Sequence, residues 1–224
     1  MAIALVQPVT TILFDFDGTI ADSFDAVLQI TNRLAKEFGY EPAGPEEVER
    51  LQNLSSREIL KQSKIPMLKL PLLLRRLKTE MNREIEHLQP IAGMYDALTQ
   101  LQQQGYRLGI VTSNTRDNVS VFLNKHDMES LFEYVQSGVA LFGKGRSIRR
   151  VLRQHQLAPD RVIYVGDETR DIEAAKAISI KVIAVGWGFN SSHALAEQHP
   201  DALVRAPHEL VEAIANLHPA PNQV

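Results

Sequence analysis

Residues 11–19 read TILFDFDGT, an apolar run that ends abruptly in two aspartates flanking a phenylalanine, then a glycine and a threonine. A short apolar, β-branched run bounded by turn residues predicts a buried strand over 11–15. Side chains alternate along a strand, so Asp15 and Asp17 point the same way while Phe16 points into the packing. Gly18 permits a sharp turn, and Thr19 offers a hydroxyl to a phosphate oxygen. Two carboxylates at the C-terminal end of a parallel strand lie where open α/β sheets bind ligands. Taken alone, DFDGT reads equally well as an Asx-turn closing a strand.

Beyond this stretch the same punctuation recurs. Strands are expected at 107–112, 132–136, 162–165, 181–185 and 202–204, with helices at 94–104, 117–126, 146–155, 171–178 and 209–217. That alternation predicts an α/β fold, a parallel sheet covered by helices. Residues 22–88 break the rhythm, because they hold several consecutive helical patterns and no convincing strand. They are expected to form a helical domain inserted into a core made of 1–21 and 89–224, with Gly18, Pro90 and Gly93 supplying turn chemistry at its edges. At 224 residues, 44% of them hydrophobic, the chain is long enough for one core carrying a smaller insert.

Bulk charge narrows the function. Lys and Arg number 24 against 27 Asp and Glu, a net charge of −3, so the whole chain shows no footprint for nucleic acid or an acidic membrane surface. There is no cysteine, which excludes disulfides, thiolate metal sites and a cysteine nucleophile. The first ten residues, MAIALVQPVT, lack a basic start and a long apolar stretch, so a cytoplasmic location is expected. Within 50–83, however, nine basic residues face two acidic ones, Glu58 and Glu80. Either a solvated helical face or a basic wall turned toward an anionic substrate accounts for them.

Three further segments carry chemistry. GDETRD at 166–171 follows the apolar run VIYV and adds Asp167 and Asp171, and crowded carboxylates call for a hard cation with oxygen ligands. Glu168 beside them is read as an acid complementing a helix N-terminus. VTSN at 111–114 ends a strand and opens a helix, so Ser113, Asn114 and the following backbone N–H groups can bind phosphate, or serve as a plain N-cap. Lys144, in FGKG, can neutralise Asp15 and an incoming phosphate, although a lone lysine is ordinarily a surface residue.

In this order, DFDGT, Ser113, Lys144 and the Asp167/Asp171 pair resemble the haloacid dehalogenase superfamily of phosphohydrolases, in its phosphoglycolate-phosphatase-like branch. The resemblance implies a Rossmann-like core with a helical cap inserted after the first motif. It further implies Asp15 as nucleophile, Asp17 as general acid and base, Ser113 as phosphate ligand and Lys144 as the neutralising cation. Mg²⁺ would be held by Asp15, the backbone carbonyl of Asp17 and Asp167, with Asp171 acting through water. Asp17 argues against dehalogenase and phosphonate-hydrolase members, which lack an aspartate there. WGFNSS at 187–192 and ADSF at 21–24 also look like that branch, although Trp187 equally suits a lid on the core edge. NLSSRE at 53–58 falls where such proteins place substrate-facing residues, which makes Arg57 the first candidate for specificity.

The expected partner is therefore a small phosphorylated metabolite, with no nucleic acid or membrane, acted on by a monomer or weak homodimer. A phosphosugar mutase of the same superfamily and a non-enzymatic binding protein on this scaffold are the competing readings. GVALFGK at 138–144 nearly spells a nucleotide phosphate loop, but Gly145 stands where a magnesium-binding Ser or Thr is needed, and VALF suits packing.

Overall fold

A computed structural model describes residues 10–63, 65–138 and 143–218, apart from the side chain of Met67. Most of the N-terminal MAIALVQPVT, the VALF run and the Pro-containing tail after 218 lie outside the described residues.

The predicted runs form six strands: β1 (Thr11–Phe14), β2 (Arg107–Val111), β3 (Tyr134–Gln136), β4 (Val162–Gly166), β5 (Lys181–Val185) and β6 (Ala202–Val204). They make one sheet in the order β3-β2-β1-β4-β5-β6, with every neighbouring pair parallel. The α/β expectation is thus borne out. Because the chain leaves β1 toward β2 on one side and later returns to β4 on the other, the two central strands splay their connections apart. Their C-terminal ends frame the crevice where such sheets take ligands.

Alternation along the strands sorts side chains onto two faces. Ile12 and Phe14 join a core with Ile110, Ile163, Val165 and Ile183, covered by α5 (Met94–Gln103), α6 (Arg116–Lys125) and α10 (Pro207–Leu217). Leu13, Tyr164, Val182 and Ala184 enter the opposite core, under α7 (Lys144–Gln154) and α8 (Thr169–Lys176). On α7 the buried residues Ile148, Val151 and Leu152 recur at the three- and four-residue spacing of one helical face. A short helix, α9 (Ser192–Glu197), follows the WGFNSS segment and was not foreseen; Ser191 caps it by accepting from Ala194 N at 3.1 Å.

Between β1 and β2 lie α1 (Phe24–Phe38), α2 (Pro45–Gln52), α3 (Ser56–Gln62) and α4 (Leu70–Glu84), with no strand among the described residues. The long helices α1 and α4 pack together through Ile30, Leu34, Phe38, Leu73 and Met81, whereas α2 and α3 bury no residue fully. The chain enters and leaves this insert through a paired stem. Asp22 N donates to Gln89 O at 2.9 Å, Ile91 N donates to Ile20 O at 2.9 Å, and Ala21 bridges Pro90 antiparallel. None of the described helices is long and apolar enough to cross a membrane.

Gly109, in the second strand, tests the packing of the sheet. A Cβ there would fall 2.4 Å from the Tyr134 ring, which is held in place by stacking on His155 at 3.9 Å. Gly109→Ala is expected to destabilise the fold by about 1–3 kcal/mol, the usual cost of overpacking. Urea unfolding measures it, and an unchanged midpoint would refute the packing argument.

Candidate active site

Asp15 is the first residue beyond β1 and Asp167 the first beyond β4; the parallel register sets Asp15 opposite Gly166, one residue before Asp167, so both aspartates leave the same end of the sheet. Asp15 N donates to Val165 O at 2.8 Å, extending the pairing up to the site. The chain then curls sharply, with Phe16 O accepting from Ile20 N at 2.9 Å and from Ala21 N at 3.0 Å. Phe16 is buried edge-on against Phe122, 5.1 Å between ring centres, as the alternation predicts. Gly18 adopts φ +75°, and a Cβ there would lie 2.3 Å from Asp167 Oδ2, so both backbone and space demand glycine. Ser23, from the ADSF segment, is fully buried and accepts from Gly18 N at 3.1 Å.

Lys144 occupies the first turn of α7, and its ammonium bridges two carboxylates, 2.5 Å from Asp15 Oδ2 and 2.5 Å from Asp171 Oδ1. It lies 5.5 Å from the centre of the Tyr164 ring. Burial alone would lower the lysine, yet the Asp15 and Asp171 carboxylates hold its pKa well above the ordinary value. Asp171, on α8, also accepts from Glu168 N at 3.2 Å, tying the carboxylate to the helix start. Asp15, Asp167 and Asp171 each present an oxygen within 4.8 Å of the others, and all three are buried. Burial, followed by the charges of Glu168, Asp15 and Asp171, pushes Asp167 well above the carboxylate range. Burial, partly offset by Lys144, brings Asp171 up to about 6. Lys144 and the nearby Arg170, itself paired with Glu168, leave the three crowded carboxylates short of positive charge. The all-oxygen donor set therefore fits a hard divalent cation such as magnesium.

Asp17 stands apart from that cluster. Both of its oxygens accept from Asn114 Nδ2, at 3.0 and 3.1 Å, so its side chain is held without joining the three-carboxylate group. Burial, then the Asp15 charge, raise its carboxyl to about 7 against the lowering by Asn114. Asp15, Asp17, Ser113 and Asn114 line a cavity of about 500 Å³ whose far wall comes from the insert: Ile59 and Leu60 of α3, and Leu74, Leu77, Lys78 and Met81 of α4. Arg170 and Phe189 close its side.

Two predicted residues sit elsewhere. Thr19 is fully buried, and its hydroxyl donates to Asp167 Oδ1 at 2.7 Å, so it holds the second carboxylate and does not open onto the cavity. Arg57 lines a second cleft, which shares Lys144 and Arg170 with the site and is completed by Arg146, Arg149 and Glu173, and it lies 3.9 Å from Glu173. Ser55 and Glu58, on either side of it, form a capping box, Ser55 N donating to Glu58 Oε2 at 2.8 Å, so much of the NLSSRE pattern serves the start of α3. Part of the basic bias of 50–83 is paired on the surface of the insert: Arg50 with Glu47, Arg76 with Glu37, and Arg83 with Glu80. Among the described residues of that stretch, Lys78 is the cation that lines the same cavity as Asp15.

The chain matches the haloacid dehalogenase-like hydrolase family over residues 12–185, and it belongs to that family. A phosphoglycolate phosphatase of Synechococcus elongatus is 37% identical over 206 residues, covering 92% of this chain and 97% of that one. A phosphoglycolate phosphatase of Vibrio parahaemolyticus is 26% identical, covering 93% and 97%. A haloacid dehalogenase-like family hydrolase from Streptococcus pneumoniae shares the fold with a TM-score of 0.74 at 22% identity, over 91% and 97% of the two chains.

The sequence reading missed how the segment after β5 works. Phe189 N donates to Asp167 Oδ2 at 2.8 Å. Asn190, 6% exposed, accepts from Thr169 N at the start of α8 and donates to Gln52 O and Leu54 O of the insert, each at 2.9 Å. Ser191 N adds a bond to Gln52 O at 2.9 Å. One loop thus grips both a site carboxylate and the turn between α2 and α3. Asn190→Ala is expected to cost about 1–3 kcal/mol, because it strands the buried Thr169 N–H. Amide exchange should quicken at Thr169 and Ser191 in particular; unaltered protection there would show that the grip is not needed.

Proposed function

We propose that this hydrolase is a magnesium-dependent phosphomonoesterase for a small phosphorylated metabolite, with phosphoglycolate the leading candidate, working through an aspartyl-phosphate on Asp15. The observation that carries the reading is the Asp15–Lys144 pair at the mouth of paired parallel strands. A carboxylate held 2.5 Å from a buried ammonium is oriented for attack, and the same ammonium can meet the phosphoryl oxygens.

Asp15, Asp167 and Asp171, with the backbone carbonyl of Asp17, are the groups that would hold magnesium. When bound there, it neutralises the carboxylates and the phosphoryl charge. Asp15 attacks phosphorus while Asp17 gives its proton to the leaving oxygen. Asp17 then takes a proton from the water that hydrolyses the acyl phosphate. Ser113, Asn114 and the following backbone N–H groups are the phosphate-side contacts. Residues 1–21 and 89–224 carry the chemistry, and 22–88 act as a cap that excludes bulk water and reads the leaving group. The identity to phosphoglycolate phosphatases over nearly the whole chain supports the anionic leaving group.

Asp15→Asn should retain the fold and lower kcat by about 10⁴-fold or more, the scale of a lost nucleophile. Excess chelator should abolish turnover and magnesium should restore it and raise the melting temperature. Turnover by Asp15→Asn close to that of the wild type, or full activity in chelator, would overturn the mechanism.

Substrate choice is tested by a kinetic panel of phosphoglycolate, hexose phosphates, nucleotides and a phosphopeptide. Arg57→Ala and Lys78→Ala should be compared, since the first was singled out from sequence and the second faces the cavity. The variant that removes the reader of an anionic leaving group should lower kcat/KM for phosphoglycolate about tenfold or more while sparing a neutral aryl phosphate. Equal losses on every substrate would remove that residue from the specificity role, and preference for the phosphopeptide would overturn the closed cap.

A further inference from the structure

Asn114 reaches Asp17 as one link in a longer chain of amides. Its Oδ1 accepts from Thr115 N at 2.8 Å and from Asn118 Nδ2 at 2.8 Å. Asn118 lies in the first turn of α6, is 4% exposed, and sends the same nitrogen to Asn82 Oδ1 on α4 at 2.8 Å. Four residues from the β1 loop, the β2–α6 connection, α6 and the insert are therefore joined end to end.

The direction of this chain is set at one end. Asn114 Nδ2 donates to Asp17, and it can do so whether the carboxyl is ionised or carries its proton turned toward the leaving group, so Asn114 turns its NH₂ toward Asp17 and its oxygen away. That oxygen requires a donor, so Asn118 must present its NH₂, and both hydrogens of that group are then used, one on Asn114 and one on Asn82. A flip of any amide would set two like groups against each other inside a largely buried site, where an unmade hydrogen bond is costly. The arrangement thus holds the Asp17 carboxylate in one rotation about its side chain. It does so only while α4 brings Asn82 to Asn118.

We propose that Asn118 is a positioning residue for Asp17, and that through Asn82 the seating of the insert sets the aim of that carboxylate. Proton delivery to the leaving oxygen is then in register only when the insert covers the cavity. Asn118 touches neither substrate nor the reacting atoms; it acts through Asn114. This inference rests on the reading of Asp17 as the proton carrier.

The test compares kcat/KM for two esters, phosphoglycolate, whose alkoxide needs a proton to leave, and 4-nitrophenyl phosphate, whose leaving group departs without one. Because kcat/KM extends only to the phosphorylation of Asp15, hydrolysis of the acyl phosphate does not enter. The variant is Asn118→Asp, which keeps the shape, suits a helix first turn and removes both donors. It should still fold, with a lowered melting temperature, and at a temperature where it is fully folded it should lose about tenfold on phosphoglycolate, a fraction of the loss of a whole acid–base group, with less than about twofold on 4-nitrophenyl phosphate. Asn82→Ala should show a smaller loss of the same selectivity, and that loss should vanish in the Asn118→Asp background. Asp17→Asn is the control and should show the largest selectivity. If Asp17→Asn is selective and Asn118→Asp is not, the positioning role is wrong while the acid role stands. If Asp17→Asn itself falls equally on both esters, the acid role fails and the proposal goes with it.

Discussion

The charge balance around Lys144 governs how the rest of the site can be built. Three buried carboxylates share one ammonium, which touches two of them, Asp15 and Asp171, at hydrogen-bond distance. Charges removed from water are tolerated only when paired and fully hydrogen-bonded, and breaking such a pair is worse than never having it. The first turn of α7 must therefore reach the end of β1, and α8 must start close to both. Asp167 has no such ammonium. Its oxygens are met instead by the Thr19 hydroxyl and the Phe189 N–H, neutral donors that leave its charge uncompensated and leave the cluster suited to a cation.

Much of this was legible in the sequence because charge at the end of an apolar run is a local signal. Asp15 and Asp167 each close a strand, and the strands that carry them are short, apolar and bounded by turn residues. Lys144 was legible only through its place in a series of motifs, since one lysine between glycines has no periodicity of its own. The third strand is shorter than the sequence suggests, because Phe132 closes the 3-10 turn before it.

What stayed hidden is the work of the uncharged amides. Asn118 and Asn82 are 36 residues apart in the chain, and Asn190 reaches Gln52 across 138. Asparagine carries no hydrophobic period, and its partners here are set by tertiary approach alone. Arg57 shows how two signals can overlap. A basic residue in a promising segment drew attention, but Ser55 and Glu58 beside it follow a helix-start pattern, and the arginine lies toward Glu173. A capping signature and a substrate-reading signature can occupy the same six letters.

The stem at Ala21 and Pro90 has a consequence for how such a protein can change over evolutionary time. Its two strands of chain run side by side, so the insert begins and ends at nearly one point on the surface of the sheet. A replacement segment need only have neighbouring termini to be grafted there without disturbing strand order or register. The sheet and the insert are thus encoded on separable stretches of the gene. The exchange is not wholly free, however: any transplant inherits a core whose Asn118 and Asn190 already expect an acceptor above them, and it must supply one to be seated.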